Sequence, residues 1–275
     1  MQFANIITLT TDFGLEDPYV GQLKGAILKY NISVRIIDIC HSIPAHDILT
    51  AAVTIRTSYN YFPKGSIHLV IVDPGVGSQR RILAATAGKH LFIAPDNGAL
   101  SLLFKDNMIQ TIHRVENASL FPSEISSTFH GRDIMAPIAA AVAGGMPLDE
   151  VGPAAEINSC IHLNLPEPII SGTKIEGQVL HVDRFGNIRT NITTADLTSD
   201  QSNFQPASFS GIKIKGHTVN NISNTYSDSP SGSLVAVIDS AGYLEIAVNR
   251  GSAARLTECC IGDPLVVLME GRGRS

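Results

Sequence analysis

Short apolar runs recur through the first half of the chain, each closed by a polar turn containing glycine or proline. Residues 67–72 are apolar and mostly β-branched or leucine, broken only by His68, the pattern of a strand covered on both faces of a parallel sheet. Residues 5–10 and 34–39 read the same way. Between these runs the period lengthens to that of a helix. Val20, Leu23, Ile27 and Tyr30 share one face after Asp17-Pro18, where proline suits a first turn. Ile48, Ala51, Ala52, Ile55 and Tyr59 form the apolar stripe of a second helix over 46–62. Residues 82–87 and 90–94 read as a strand pair about Gly88-Lys89, and 99–104 as a short helix. An apolar helix follows over 134–143, stopped by Gly144-Gly145. Strands alternating with helices predict a doubly wound α/β domain, assigned to residues 1–165.

The pattern changes after Leu165-Pro166-Glu167-Pro168, which reads as a linker. From Gly172 on, period-two alternation and turn residues predict strands at 173–182, 188–192, 212–218, 234–239, 244–248 and 265–269, with no long helix. Residues 172–275 are therefore assigned to an all-β, barrel-like or sandwich domain. The fold class expected is α/β, with a C-terminal all-β domain.

Composition narrows the function classes. The chain has 275 residues, 44% of them hydrophobic and 16% charged, enough to fill more than one core. A net charge of -5 argues against nucleic acid as the main partner. The four cysteines include no Cys-x-x-Cys pair, and adjacent Cys259-Cys260 suits a disulfide poorly, so reduced thiols in a cytoplasmic protein are expected. The N-terminal stretch meets Asp12 too early for a signal peptide, and no apolar run reaches membrane-spanning length. No membrane association is expected.

Candidate chemistry collects at strand ends. In open α/β sheets ligands sit beyond the carboxyl ends of the strands. Asp12, Asp73 and Asp96 each follow an apolar run, so they are expected along one sheet edge. Gly75 and Gly77 permit close backbone approach, and Arg80 and Arg81 lie near enough to fold back on Asp73. The same residues fit ordinary turn punctuation. Gly75-Val76-Gly77 is no dinucleotide fingerprint, since Arg80 stands at the third glycine, and no Gly-Lys-Ser/Thr phosphate loop occurs. Asp12-Phe13-Gly14 lacks an upstream glycine-rich loop and is no kinase signature. His68, His90 and His113 lie in or beside strands, as core or surface histidines do, whereas His130 lies in a polar turn before a helix, beside Gly131, Arg132 and Asp133. No histidines stand at helical ligand spacing, and neither a metal nor another cofactor is expected.

Six motifs in order sharpen the picture: Thr11-Asp12-Phe13-Gly14 with Asp17-Pro18-Tyr19-Val20-Gly21, Asp73-Pro74-Gly75-Val76-Gly77, Pro95-Asp96-Asn97-Gly98, Phe129-His130-Gly131-Arg132-Asp133, Asp183-Arg184-Phe185-Gly186-Asn187 and Ser240-Ala241-Gly242-Tyr243-Leu244-Glu245. Together they resemble the S-adenosylmethionine hydroxide adenosyltransferase family, relatives of the fluorinases and chlorinases. The resemblance implies an N-terminal α/β domain, a C-terminal β-barrel and a homotrimer. Its active sites would lie between the N-terminal domain of one subunit and the C-terminal domain of the next. It also implies attack of water, as hydroxide, on the ribose C5′ of S-adenosylmethionine, giving adenosine and L-methionine.

By the same resemblance Asp73, Arg80 and His130 match a hydrolytic Asp-Arg-His triad. Halogenating relatives carry tyrosine at the position of His130 and an insertion after the Asp73 region that this chain lacks. Asp12 matches the acceptor of the ribose hydroxyls, and Tyr19 lies in the adjoining substrate-binding motif. Asp17, Asp183 and Ser240 match the amino-acid end of the substrate, while Phe185, Asn187 and Arg250 match adenine contacts. His46 stands where the fluorinase has a stacking tryptophan, and Ala241 replaces a fluorinase arginine. With an unperturbed pKa of about 6.5, His130 is the natural base for the water. A halide-using transferase, a binding module for adenosine or S-adenosylmethionine without turnover, and a metal-dependent phosphoesterase are the alternatives.

Overall fold

The computed structural model describes residues 3–198 and 209–269, so the outer limits expected for the two domains, and a stretch within the second, lie outside the described residues. The fold is mixed α/β with two sheets, and it divides into two compact units at Asn164/Leu165, within the expected linker region.

The first unit contains β1 (Ile6–Thr11), α1 (Tyr19–Tyr30), β2 (Arg35–Cys40), α2 (Ile48–Ser58), β3 (Ile67–Ile71), β4 (Ile82–Ala87), β5 (His90–Pro95), α3 (Ser101–Lys105), β6 (Ile109–Arg114) and α4 (Ala136–Ala143). Its sheet runs β2-β1-β3-β5-β4-β6. The first four are parallel, and β4 runs antiparallel to both β5 and β6.

Alternation along the strands feeds two cores. Ile7, Leu9, Leu69 and Ile71 pack with Leu23 and Ile27 of α1 and Ile138 and Val142 of α4. Val70, Val72 and Phe92 face the other way, toward Ala51 and Ile55 of α2 and Leu103 of α3. Helices thus cover both faces, which explains why the strands read as nearly unbroken apolar runs. Parallel β1, β3 and β5 are neighbours, so the turns after them open at the same edge.

His68 is fully buried among these strands. Its Nδ1 lies 2.7 Å from Thr8 Oγ1 and its Nε2 3.2 Å from His90 Nδ1. Burial, with help from His90, pushes its pKa down to about 3, so it is a neutral, partnered core group.

The second unit contains β7 (Ile169–Ser171), β8 (Lys174–Val182), β9 (Ile188–Thr193), α5 (Thr194–Leu197), β10 (Phe209–Ile214), β11 (His217–Val219), β12 (Ile222–Ser223), β13 (Leu234–Ile238), β14 (Tyr243–Val248), α6 (Ala253–Thr257) and β15 (Pro264–Met269). The strand path is β11-β10-β15-β8-β9-β14-β13-β12, with β7 beside β8. β8 pairs β15 through its first half and β9 through its second. β11 comes against β13 near the far end of the path, curling the sheet nearly into a barrel around Ile175, Ile192, Ile212 and Ile246.

Several boundaries differ from expectation. The helix expected over 46–62 is α2 followed by a 3₁₀ turn, Tyr59–Tyr61, and Asp47 caps it by accepting the Thr50 N–H at 2.9 Å. The strand expected over 212–218 is a hairpin, because Lys215 (φ 46°) and Gly216 (φ 79°) turn the chain inside it. α4 is preceded by a wide π-type turn, Gly131–Met135.

Candidate active site

The turns after β1 and β3 and the loop entering the π-type turn line one cleft of about 260 Å³ in the first unit. Asp12, Tyr19, Asp73 and His130 line it, with Phe13, His46, Thr128, Phe129 and Gly131 among the others. Of the first-unit residues expected at the substrate, Asp17 and Arg80 are outside that lining: Asp17 is exposed just before α1, and Arg80 sits behind Asp73 and His130.

Arg80 organises the centre. Its Nε donates to Asp73 Oδ1 at 3.0 Å and Oδ2 at 2.8 Å, and an Nη donates to Oδ2 at 2.5 Å. The same Nη lies 2.9 Å from His130 Nδ1. Both ends of the ion pair are nearly buried, so the pair is little screened by water. Arginine has hydrogens and no acceptor, so His130 Nδ1 must accept, and the proton of the neutral ring sits on Nε2. Burial first, then the Arg80 charge, pull the His130 pKa below its ordinary value, against the opposing pull of Asp73 and Asp133. His130 is therefore neutral near pH 7.

Local devices hold this geometry. Gly77 has φ 78°, and a Cβ there would fall 2.3 Å from the Ser127 carbonyl oxygen, so the Asp73 turn and the 126–130 loop touch through bare backbone. Asp133 accepts the Ser126 N–H at 2.8 Å and pairs with Arg132 at 2.6 Å. That pairing with Arg132, before all else, holds the Asp133 carboxyl below the usual range. Asp12 Oδ2 accepts the backbone N–H of His46 at 2.9 Å, and His46 is held at φ 68°, a costly conformation for a residue with a side chain.

The other two arginine and aspartate expectations resolve differently. Arg81 turns away from Asp73. It bonds Asp96 Oδ2 at 2.6 Å and the Ser159 carbonyl, and Asp96 also accepts the Ile161 N–H at 2.8 Å. Asp96 is buried in this clamp and does not line the cleft. Its sequence position after a strand was right; the partner that consumes it is distant in sequence.

In the second unit, Asp183, Phe185 and Asn187 form the β8–β9 turn. Asp183 Oδ1 accepts the backbone N–H groups of Phe185 and Asn187, both at 2.9 Å, and Oδ2 accepts from Asn187 Nδ2 at 3.1 Å. Phe185 is thereby projected with 77% of its surface exposed. Gly186 has φ 83°, and a Cβ there would strike the Ser252 hydroxyl at 1.9 Å. The loop holding Arg250 (φ 60°) lies at the same end of the sheet, since Ala254 N–H bonds the Gly186 carbonyl at 2.9 Å. Ser240 lies at the opposite end of β14, in the turn joining it to β13.

Sequence reasoning missed the polar row between those ends. Arg189 pairs with Asp239 at 2.5 Å, and Tyr226 donates to Glu245 at 2.8 Å. Asp239 also accepts the N–H groups of Ala241 and Tyr243, fixing the Ser240 turn. Burial, then the charges of Asp239 and Asp183, push the Glu245 carboxyl up, against the Tyr226 hydrogen bond. Burial, then Glu245, push Tyr226 up to about 12. Glu245 lay in plain view in a motif, but Arg189 and Tyr226 carried no local signal.

Among the described residues, no group of three or more His, Cys, Asp or Glu side chains is placed to hold a metal ion, and no helix is long and apolar enough to cross a membrane.

Two family models cover the chain. The SAM hydroxide adenosyltransferase N-terminal domain matches residues 7–152, and the corresponding C-terminal domain matches residues 177–266. The chain belongs to the SAM hydroxide adenosyltransferase family. Relatives within reach of that family agree. The chain is 36% identical over 264 residues to the (R)-S-adenosyl-L-methionine hydrolase of Salinispora arenicola, covering 95% of this chain and 97% of that protein. It is 28% identical over 277 residues to a fluorinase of Actinoplanes sp., covering 90% and 92%. The crystal structure of an uncharacterized conserved protein from Thermotoga maritima superposes with a TM-score of 0.87 at 34% identity, covering 95% of this chain and 99% of that one.

Proposed function

We propose that this protein hydrolyses S-adenosyl-L-methionine to adenosine and L-methionine. The observation that carries the proposal is the Arg80 bridge between Asp73 and His130 at the wall of a cleft that also presents Asp12. An Asp-Arg-His set in a member of this family, with histidine at position 130, favours water over halide as nucleophile.

In the reaction an O–C5′ bond forms and the C5′–S bond breaks. The sulfonium takes the electron pair and leaves as a neutral thioether, so no general acid is needed. The difficult partner is water, which must lose a proton while held behind C5′. The Arg80 contact occupies the His130 lone pair, which favours His130 as an Nε2–H donor to the attacking oxygen over its use as the base. Asp73 takes the proton in this scheme, through Oδ1, which accepts only the longer Arg80 bond at 3.0 Å. The positive charge of Arg80 stabilises the developing hydroxide.

The remaining contacts follow from family position. Asp12 takes the ribose hydroxyls, Tyr19 adjoins it, and Asp17, Asp183 and Ser240 serve the amino-acid end. Phe185 stacks on adenine, Asn187 and the Arg250 backbone bond it, and no cofactor takes part. The proposal includes a homotrimer in the cytoplasm, with each site shared by neighbouring subunits; the exposed Phe185 ring is consistent with such a shared role.

The test is incubation of purified protein with S-adenosylmethionine in chloride buffer, without added metal, and separation of the products. Adenosine plus methionine from wild type, and from none of the Asp73→Asn preparations, is the expected result. A chlorinated nucleoside would move the chain to halide transfer, and bound adenosine without products would leave a binding module.

A further inference from the structure

Asp12 sits in a turn that is held from behind. Thr11, the last residue of β1, is fully buried, and its Oγ1 lies 2.8 Å from His41 Nδ1. The same Oγ1 receives the Phe13 N–H at 3.3 Å. The His41 carbonyl accepts the Gly14 N–H at 2.7 Å. His41 therefore grips both residues that follow Asp12, one through its ring and Thr11, the other through its backbone.

The ring of His41 is itself anchored. It is 5% exposed, and its Nε2 lies 3.1 Å from Asp38 Oδ1, an attractive contact whose angle falls short of an ordinary hydrogen bond. Asp38 pairs on its other oxygen with Lys24 of α1 at 2.6 Å. Burial works against the Asp38 charge, but the Lys24 bond and the neighbouring His41 ring hold its carboxyl below the usual value. A carboxylate beside Nε2 favours the tautomer with the proton there. Nδ1 is then an acceptor, the Thr11 hydroxyl donates to it, and the Thr11 oxygen is left to accept from Phe13. The Lys24–Asp38, Thr11–His41 and Phe13–Thr11 bonds then each have one donor and one acceptor, and the His41 Nε2–H faces the Asp38 carboxylate.

This arrangement has the order of a carboxylate-histidine-hydroxyl triad, but the hydroxyl cannot meet a substrate, because Thr11 is fully buried. What lies within reach of solvent is Asp12, on the cleft wall. We infer that His41, through Thr11, is a positioning residue that sets the Asp12 carboxylate for the vicinal diol of the ribose. The inference rests on the adenosine reading of the cleft. A carboxylate meeting two hydroxyls needs both oxygens aimed together, and one of them is already turned by the His46 N–H at 2.9 Å.

The test compares two nucleosides by calorimetric titration: adenosine, and 2′,3′-dideoxyadenosine, which gives Asp12 nothing to bind. Thr11→Val, nearly the same shape without the hydroxyl, and His41→Phe are the variants. Each is expected to weaken adenosine about fivefold, the scale of one hydrogen bond, and to leave the dideoxynucleoside unchanged. Thr11→Ser should restore adenosine binding. In an Asp12→Ala background, His41→Phe should have no further effect on adenosine. Equal loss for both nucleosides, or a His41→Phe loss that persists without Asp12, would mean general loosening of the fold and overturn the inference. If wild type binds neither nucleoside, the adenosine reading itself fails and this inference falls with it.

Discussion

His130 offers an attacking water either a lone pair or an N–H, and the two uses separate by substitution and by pH. Glutamine keeps an N–H donor but is no base. With Arg80 holding Nδ1, His130→Gln should retain most of the turnover that His130→Ala loses, a loss of about 10²-fold if one donor to a developing oxyanion is removed. Protonated His130 still donates through Nε2, but its new Nδ1–H displaces the Arg80 N–H, so an acid limb from this residue in wild type should be partial and not a complete loss. If His130 is the base, kcat/KM will instead fall as pH drops through a value below 6.5, because burial and Arg80 lower its pKa, and His130→Gln will be as dead as alanine. His68 gives a second pH signature, in stability. Its folded-state pKa is about 3, whereas an unfolded histidine titrates near 6.5, so the unfolded chain binds the proton first as pH falls. Stability should be complete above 6.5 and decline below it by about 1.4 kcal/mol per pH unit from this residue, until pH approaches 3. Denaturant midpoints measured from pH 7 to 4 should show a shallower slope in His68→Gln, and an unchanged slope would mean the ring is hydrated in solution.

Elements were legible where one local rule decided them. Ile67–Ile71 and Ile7–Leu9 read as buried strands because both faces are covered, and α1 declared itself through Val20, Leu23 and Ile27. β6 drew no bounds from the sequence beyond a strand near His113, because Ile109–Arg114 mixes Gln, Thr and His at a sheet edge, where burial imposes no clear period. β10 and β11 ran together because Lys215, a residue that seldom adopts positive φ, makes the turn beside Gly216. The glycines after β3 were legible as flexible turn residues, but only the fold distinguishes their roles. A Cβ on Gly75 would meet its nearest neighbours at an ordinary 3.5 Å, whereas one on Gly77 would lie 2.3 Å from the Ser127 carbonyl oxygen. Gly77→Ala should therefore push apart the two loops bearing Asp73 and His130, destabilising by roughly 1–3 kcal/mol and costing more activity than stability explains. Gly75→Ala should be milder on both counts. Thermal melts and turnover measured on the two variants side by side check this, and equal effects would mean the loops yield easily.

At the scale of the whole molecule, what the chain hides is pairing across distance. Asp73 with Arg80 spans seven residues and was readable, but Arg80 with His130 spans fifty, as does Arg189 with Asp239. Composition and periodicity carry no trace of such partners; only ordered motifs matched to a family brought Asp73, Arg80 and His130 to attention together. The same limit applies to assembly. The proposed site draws Asp73 from the first unit of one subunit and Phe185 and Asn187 from the second unit of another. This has an arithmetic consequence. Asp73→Asn spoils only first units, and Phe185→Ala with Asn187→Ala spoils only second units. When the two inactive proteins are co-expressed in equal amounts, a shared site receives a sound first unit half the time and a sound second unit half the time. About a quarter of wild-type turnover should then return, whatever the size of the ring. If each subunit builds its own site, every site keeps one defect and no activity returns, because no chain in the mixture is intact. Turnover per subunit in the purified mixed oligomer, against each parent variant alone, decides between a shared site and a private one.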